Sequence, residues 1–519
     1  MTSTLVVGAG SAGCVVAARL SADPDHTVLV LEAGPVWASA ARIPAPLLDP
    51  GHLPVGPESA VVWRYPGNLV RGKLIGGSGA INGSYFLRPP AADFTAWSAV
   101  AASSMWSYEA VLPFFAALEA DRDFGTAPGH GAHGPIPVER TADPAPVSRE
   151  FAYTCAASGF REIADLNGVA ASGPGGDAES AERSEDPGRG ADRVARAAGG
   201  PAGFGAESVL GIARGPSSPD AGQGTGRTDG FGRVPLAVAD GRRAGPALTH
   251  LYPALARPNL TVTGGTTVTR LLLRGSRVVG VEWSRGRERG TTFADRVIVC
   301  AGAVESAALL IRSGIGPEPL LRSLGIPVVL PAPVGAWCTD HPEIGVEYSG
   351  PEPIGSTVAL EYVLELDDLE LRPYTPMFTP GLRRLGVALM TPDTPGRLTL
   401  VSADPTVPAR IDQGYLRAEH DRARLRAGVR TAAELLRLPL GEIDDAWLRA
   451  HLGTSQHLSG TCRMGPADDR RAVVDPAGRV HGIDGLTIAD LSVLPVPIHR
   501  GPQATVLLLA AVIAERHAV

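Results

Sequence analysis

The chain opens on an apolar run at residues 5–7 that leads through "GAGSAG" into "CVVAARL", where apolar residues recur at helical spacing. "TVLVLE" follows as a second apolar run, so the N-terminus reads as strand, turn, helix, strand. The plan recurs far downstream: an apolar strand at 297–300, a small-residue turn at 301–303, and a helical pattern through Leu310. Two such units so far apart predict one doubly wound sheet assembled from discontinuous segments. Between them, "ARPNLTVTGGTTVTRLLLRGSRVVGVEW" carries short alternating runs separated by turns. Residues 333–455 hold strand-like runs ("GVALMT", "GRLTLVSA") and a charged helical segment, "EHDRARLRAGVRTAAELLRL", whose basic face reads as solvated surface. The apolar stretch "ATVLLLAAVIA" at 504–514 is too short to span a bilayer and predicts a buried helix.

One region breaks the pattern. Residues 170–229 are rich in Gly, Ala, Pro, Ser and charge and have almost no large apolar side chains. Such a stretch cannot bury enough surface to offset its ordering entropy, and it is expected to be a disordered or loosely attached insertion. The remainder of the 519 residues suffices for more than one core. A net charge of −7 gives no basic field for nucleic acid. The five cysteines, Cys14, Cys155, Cys300, Cys338 and Cys462, are scattered without zinc-type spacing, so neither a metal site nor a disulfide framework is expected. Only four residues precede the first apolar strand, with no basic leader. The expectation is a soluble, cytoplasmic protein, with peripheral contact at the inner face of a membrane left open.

Gly8, Gly10 and Gly13 fit G-x-G-x-x-G between the first strand and its helix, and Glu32 ends the second strand 19 residues beyond Gly13. In that setting the glycines permit a tight turn, close backbone approach to a pyrophosphate and close helix–strand packing. The helix N-terminus faces the phosphates, and the carboxylate accepts ribose hydroxyls. The pattern predicts adenine-dinucleotide binding but does not separate FAD from NAD(P). A second small-residue cluster, Gly76, Gly77, Ser78 and Gly79 before Asn82, suits backbone lying against a flat or phosphorylated ligand. Near the C-terminus, "SQHLSGTCRMG" places His457 among turn-formers, either as a proton-handling catalyst or as an ordinary histidine at a strand end. Cys462 reads as buried packing, and His130, His133 and His341 read as structural.

Taken in order, "VVGAGSAG…VLEAG", "GKLIGGSGAINGSYFLR", "GAVESAALLIRSGIG" and "HLSGTCRMG…HRGPQATVLLLAAVIAE" resemble the glucose–methanol–choline (GMC) oxidoreductase family over nearly the whole chain. Ala307 departs from the proline usual in the third block. The resemblance implies an α/β Rossmann-like FAD-binding domain from 1–35, 71–90, 240–332 and 456–519. It also implies an α+β substrate-binding cap with an antiparallel sheet from 36–70, 91–169 and 333–455. The implied FAD contacts are Gly8, Gly10, Ser11, Ala12, Gly13, Glu32, Ala33, Gly76, Gly77, Ser78, Asn82, Gly83, Val268, Ala301, Gly302, Asp490, Leu491, Gln503, Ala504 and Thr505. Ile81 stands where some members carry a flavin-linked histidine, so FAD is expected to be non-covalent.

His457 matches the family's active-site histidine, which implies a general base for alcohol oxidation by hydride transfer to flavin. The second His or Asn of the family is Gly501 here, which has no side chain to offer. Three answers stay open: a substrate group or water fills the role, His499 or Arg500 swings in, or alcohol oxidation has been lost. The stretches "RGPQATV", "NGSYFLR" and "HGAHGPIPVER" resemble the mycofactocin-associated branch. That branch implies a small alcohol or reduced redox carrier as donor and a non-oxygen, quinone-linked acceptor in the respiratory chain. A peroxide-producing alcohol oxidase, a non-redox FAD-containing lyase and a non-catalytic flavoprotein are the alternatives.

Overall fold

The computed structural model describes residues 2–169, 229–350 and 358–517. The insertion expected at 170–229 lies, save for Asp229, outside the described residues.

The first strand β1 (Thr2–Val7), helix α1 (Ser11–Leu20) and strand β2 (His26–Leu31) form as the periodicity predicts. They belong to a five-stranded parallel sheet in the order Leu260–Thr263, β2, β1, Arg296–Val299, Leu486–Ile488. Leu5 stands opposite both Leu29 and Val297. A parallel sheet is covered on both faces, which is why residues 5–7 are an unbroken apolar run rather than an alternating one. One cover is α1, packed on the C-terminal helix Gln503–His517. That helix is buried along nearly its whole length, as its apolar sequence requires. The second strand–turn–helix unit is also present, as Arg296–Val299 followed by the helix Gly302–Arg312. A three-stranded antiparallel sheet, Thr267–Arg274, Arg277–Arg285 and Glu288–Phe293, accounts for the alternating runs between the units.

A second sheet has six strands, all antiparallel, in the order Leu452–Thr454, Pro342–Ser349, Leu382–Leu389, Leu369–Pro373, Tyr362–Leu366, Gly230–Arg233. It builds its own core, in which Ile344, Leu371, Leu385 and Val387 meet Leu425 and Val429 of the helix Glu419–Leu436. The basic face of that helix is not simply solvated. Arg424 reaches Asp368 and Asp393, and Arg426 reaches Asp445 at 2.7 Å, so the helix is tied to its surroundings by charge as well as by its apolar stripe. Helices Ala91–Ala101 and Tyr108–Leu118 share the core of the parallel sheet, whereas Pro146–Ala157 joins the core of the antiparallel one.

His130 anchors the loop after Tyr108–Leu118. Its Nδ1 lies 2.9 Å from Glu119 and its Nε2 2.9 Å from Asp165, while Arg140 bonds Asp121 at 2.6 Å and Arg88 pairs with Glu119. Three carboxylates thus meet two guanidiniums and one imidazole, a set that balances only when His130 is charged. Burial alone would lower its pKa, but hydrogen bonds to Asp121, Asp165 and Glu119 outweigh burial and raise it to about 10. A histidine raised on folding contributes stability that is complete below its unfolded pKa and is lost as pH rises through the folded value. The thermal midpoint of His130→Gln is therefore expected to fall furthest below wild type at pH 6. The gap should close progressively toward pH 10, and a gap that is constant with pH in melting scans would count against a charged His130.

Candidate active site

His341 and His457 are brought together by one pair of strand ends. Pro342 pairs with Thr454 at the edge of the antiparallel sheet, and the ladder resumes at Thr339 opposite Ser459, so two extra residues bulge out on the 455–458 side. Gln456 takes the left-handed conformation in that bulge, at φ 66°. Its side chain accepts from the Val70 amide at 2.8 Å and from Arg71 at 3.0 Å, which holds the turn in place. One carboxylate oxygen, Oδ1 of Asp340, then accepts both the His457 amide at 2.7 Å and the His341 amide at 2.8 Å. The rings meet edge to face, with Nδ1 of His341 2.8 Å from Nδ1 of His457.

His341 therefore does not sit apart as a structural histidine: it is in direct contact with His457. Burial lowers its pKa to about 3, with Arg372 and His499 adding to the effect. Burial, His341, Arg372 and Arg71 likewise hold His457 well below the ordinary imidazole range. Among the described residues, Nε2 of His457 has no hydrogen-bond partner, and the residue is only half-buried. The site thus contains a neutral imidazole with one nitrogen free to handle a proton.

The place of Gly501 is occupied by a neighbour. A Cβ there would lie 2.9 Å from Cδ1 and 3.0 Å from Cε1 of Tyr85, and 3.7 Å from Cε1 of His457. The Tyr85 ring fills the space that a second His or Asn would need. Its hydroxyl donates to Glu370 at 2.9 Å, and Glu370 in turn accepts from Arg372 at 2.9 Å. Burial and the Glu370 charge keep the phenol protonated by pushing its pKa well above the usual range. The neighbouring candidates are committed elsewhere. His499 bonds Asp93 through Nδ1 at 2.5 Å and through its amide at 2.8 Å, and Arg500 is ion-paired with buried Glu365. Neither swings into the gap.

The residues expected around a cofactor converge from four segments. A Cβ on Gly13 would lie 2.0 Å from the Gly8 carbonyl, and one on Gly77 would lie 2.7 Å from the Cα of Gly10. Only glycine permits these backbone approaches. Gly76 donates to the Ala9 carbonyl at 2.7 Å, and the Ser78 hydroxyl accepts from Gly72 at 3.1 Å. Gln503 bridges Asn82 at 3.3 Å and Ser11 at 3.4 Å. Ala12 is buried in α1, Gly83 approaches Ala359, and Ala301 precedes Gly302, which has φ 83°. Asp490 accepts from Gly302 at 2.8 Å and from the Ser306 hydroxyl at 2.5 Å, bracing that turn, and the Leu491 carbonyl accepts from Gly460 at 2.9 Å. Val268 lies apart from these polar contacts, buried on the three-stranded sheet opposite Trp283.

Three features of this cradle fit a flavin dinucleotide. The first is the glycine-lined approach of the Gly8–Gly13 turn to the 76–79 turn, which leaves backbone rather than side chains facing a ligand. The second is Glu32, next to Ala33, whose carboxylate accepts the Ala9 amide at 2.7 Å and the Gly34 amide at 2.8 Å. A carboxylate has about four lone-pair sites, and these amides leave room to accept from a ribose hydroxyl. Burial raises its pKa to about 7 even with these amides in place, and hydroxyl donors at the free sites would favour the charged form. The third is the start of the helix Gln503–His517. The amides of Gln503, Ala504 and Thr505 have no intrahelical acceptor, and the buried Thr505 hydroxyl has no partner among the described residues. Gln503, Ala504 and Thr505 would hold the pyrimidine edge of a flavin there, where the helix N-terminus favours negative charge.

The geometry at Gly501 gives a direct test. Gly501→Asn is expected to lower stability by about 1–3 kcal/mol, the usual cost of overpacking. In a Tyr85→Ala background the same substitution should cost much less, because the space has been vacated. Chemical denaturation of the four proteins in this cycle reads the coupling directly, and additive effects would mean that the two positions do not compete for space.

The chain is similar to known proteins over nearly its whole length. Two family models described as GMC oxidoreductase match residues 2–176 and 204–343, and 392–510. The uncharacterized GMC-type oxidoreductase of the thcA 5′ region of Rhodococcus erythropolis is 40% identical over 98% of this chain and 96% of its own length. The oxygen-dependent choline dehydrogenase of Burkholderia cenocepacia is 30% identical over 99% and 92%. The crystal structure of pyridoxine 4-oxidase from Mesorbium loti superposes with a TM-score of 0.81 at 25% identity, covering 100% of this chain and 99% of that one. With the matched models, the identity across the full length and the glycine-lined cradle all agreeing, the chain belongs to the GMC oxidoreductase family and is an FAD-dependent oxidoreductase.

Proposed function

We propose that the protein oxidises an alcohol to a carbonyl with His457 as the proton acceptor, and that its electrons leave to an acceptor other than oxygen. The observation that carries this reading is the neutral, half-buried His457 ring, clamped through its backbone and with Nε2 unpartnered among the described residues. Bound FAD supplies the hydride acceptor. The CH–OH carbon gives up a hydrogen with two electrons, the hydroxyl proton goes to His457, and a carbonyl remains. Ile81 is buried and packs with Leu47 and Leu74, and it has no nucleophile, which supports non-covalent FAD. The Tyr85 ring occupies the place of the missing second side chain, and its hydroxyl is held by Glu370, so in this reading a substrate group or water supplies the second polar contact.

Reduced mycofactocin and small alcohols are the proposed donors, on the sequence stretches that resemble that branch, and a quinone-linked acceptor follows from the same resemblance. Among the described residues no helix is long and apolar enough to cross a membrane, so delivery to a quinone would use peripheral contact. A second reading, with oxygen as acceptor and peroxide as product, is favoured by the similarity to an oxygen-dependent choline dehydrogenase and to a pyridoxine 4-oxidase.

Anaerobic mixing of the FAD-loaded protein with choline, pyridoxine, primary alcohols and reduced mycofactocin is expected to bleach the visible flavin band with at least one donor. His457→Ala should slow that bleaching by about 10²–10⁴-fold. Admitting air or a quinone analogue then separates the two acceptors. A flavin that stays oxidised with every donor would overturn the reading in favour of a lyase or a non-catalytic flavoprotein. The pH dependence has a definite sign, because a base with a lowered pKa stays deprotonated further into acid. The bleaching rate is expected to be flat from neutral pH through about pH 6.5, the ordinary imidazole value, and to fall only in more acidic solution.

A further inference from the structure

We propose that His341 is a positioning residue that fixes the tautomer of His457, so that Nε2 is the only nitrogen of that ring able to take the substrate's proton. The inference rests on the reading of His457 as the base and goes beyond it, since nothing in that reading says which nitrogen acts or why.

The assignment follows from counting donors and acceptors. The two Nδ1 atoms lie 2.8 Å apart, so one carries a hydrogen and the other a lone pair. The Ile498 backbone favours the protonated form of the His341 ring, the sign of a ring N–H facing a carbonyl, and with Nδ1 engaged by His457 this points to the remaining nitrogen as the donor. That nitrogen therefore carries the hydrogen. Were Nδ1 of His341 protonated as well, the ring would be an imidazolium. His341 is 2% exposed and is faced by the guanidinium of Arg372 and by His499, an environment that opposes a further positive charge. Nδ1 of His341 is thus the acceptor, and Nδ1 of His457 donates to it. The lone pair of His457 is left on Nε2, the nitrogen without a partner among the described residues.

Asp340 makes the arrangement rigid. Its Oδ1 holds both histidine amides, and its Oδ2 accepts from Thr454 at 2.9 Å and Gln413 at 3.4 Å. The charged groups around the pair are Arg372, Arg71 and Asp340, with Glu343 and Glu370 neutralising Arg372. When Nε2 of His457 takes a proton, the charge is shared through Nδ1 with an oriented lone pair. His341 cannot pass that proton on, because its other nitrogen already donates to a carbonyl. It orients the base and is not a relay.

The test has a readout that does not depend on turnover. In the FAD-loaded protein with ¹⁵N-labelled histidine, the His457 resonances, assigned by their loss in His457→Gln, are expected to show protonated Nδ1 and unprotonated Nε2 at neutral pH. A protonated Nε2 in the wild-type protein would overturn the proposal without any variant of His341. His341→Leu removes the acceptor, and His457 should then populate both tautomers, with flavin reduction slowed by about 10²-fold or more. His341→Gln restores an acceptor oxygen and should recover most of that loss. Flavin reduction in His341→Leu at the wild-type rate would also overturn the proposal. The predicted tautomer in a protein whose flavin no alcohol reduces would support the positioning role while sinking the alcohol-oxidation reading, so the two fail separately.

Discussion

The site depends on the pairing of two strand ends at the edge of the antiparallel sheet. Pro342–Ser349 and Leu452–Thr454 are far apart in the chain, yet their register places His341 and His457 side by side. The bulge at Gln456 is what turns His457 away from the ladder, and a single oxygen of Asp340 holds both amides. A backbone clamp of this kind positions an imidazole more firmly than side-chain packing alone, because it removes freedom before the ring torsions are considered. The edge strand supplies unpaired backbone that a bulge can redirect, which is why the two histidines meet at the sheet margin and not at its centre.

Around that pair the protein buries many charges and leaves few of them alone. Arg372 meets Glu343 and Glu370, Arg500 meets Glu365, and His499 meets Asp93. Each pair satisfies hydrogen bonds that burial would otherwise strand. Removing one member would leave its partner as an uncompensated charge close to the imidazoles. The same network explains why the loss of a side chain at Gly501 does not leave a void: Tyr85 lies over it, held by Glu370. The two positions form one packing unit, although one lies on the segment after the second glycine cluster and the other just before the last helix.

The parallel sheet and the glycine turns were legible in the sequence because their determinants are local. Apolar runs at 5–7 and 297–300, a glycine at each close approach, and a helix with no polar face at 504–514 need no distant partner to be recognised. His457 stood out for its family context. His341 did not, since "TDHPE" offers a histidine beside a proline and nothing in its spacing points to a residue 116 positions away. Asp340 and Tyr85 were missed for the same reason. The basic helix segment was misjudged as plain surface because a sequence cannot show that Asp368 lies beneath Arg424.

By itself, then, the sequence determined the dinucleotide-type cradle, the doubly wound sheet and the family, all of which depend on residue type at short spacing. What the tertiary structure alone decided is which groups surround His457. Strand register, the bulge and the packing of Tyr85 against Gly501 are long-range contacts, and their energy depends on shape and burial that no local pattern encodes.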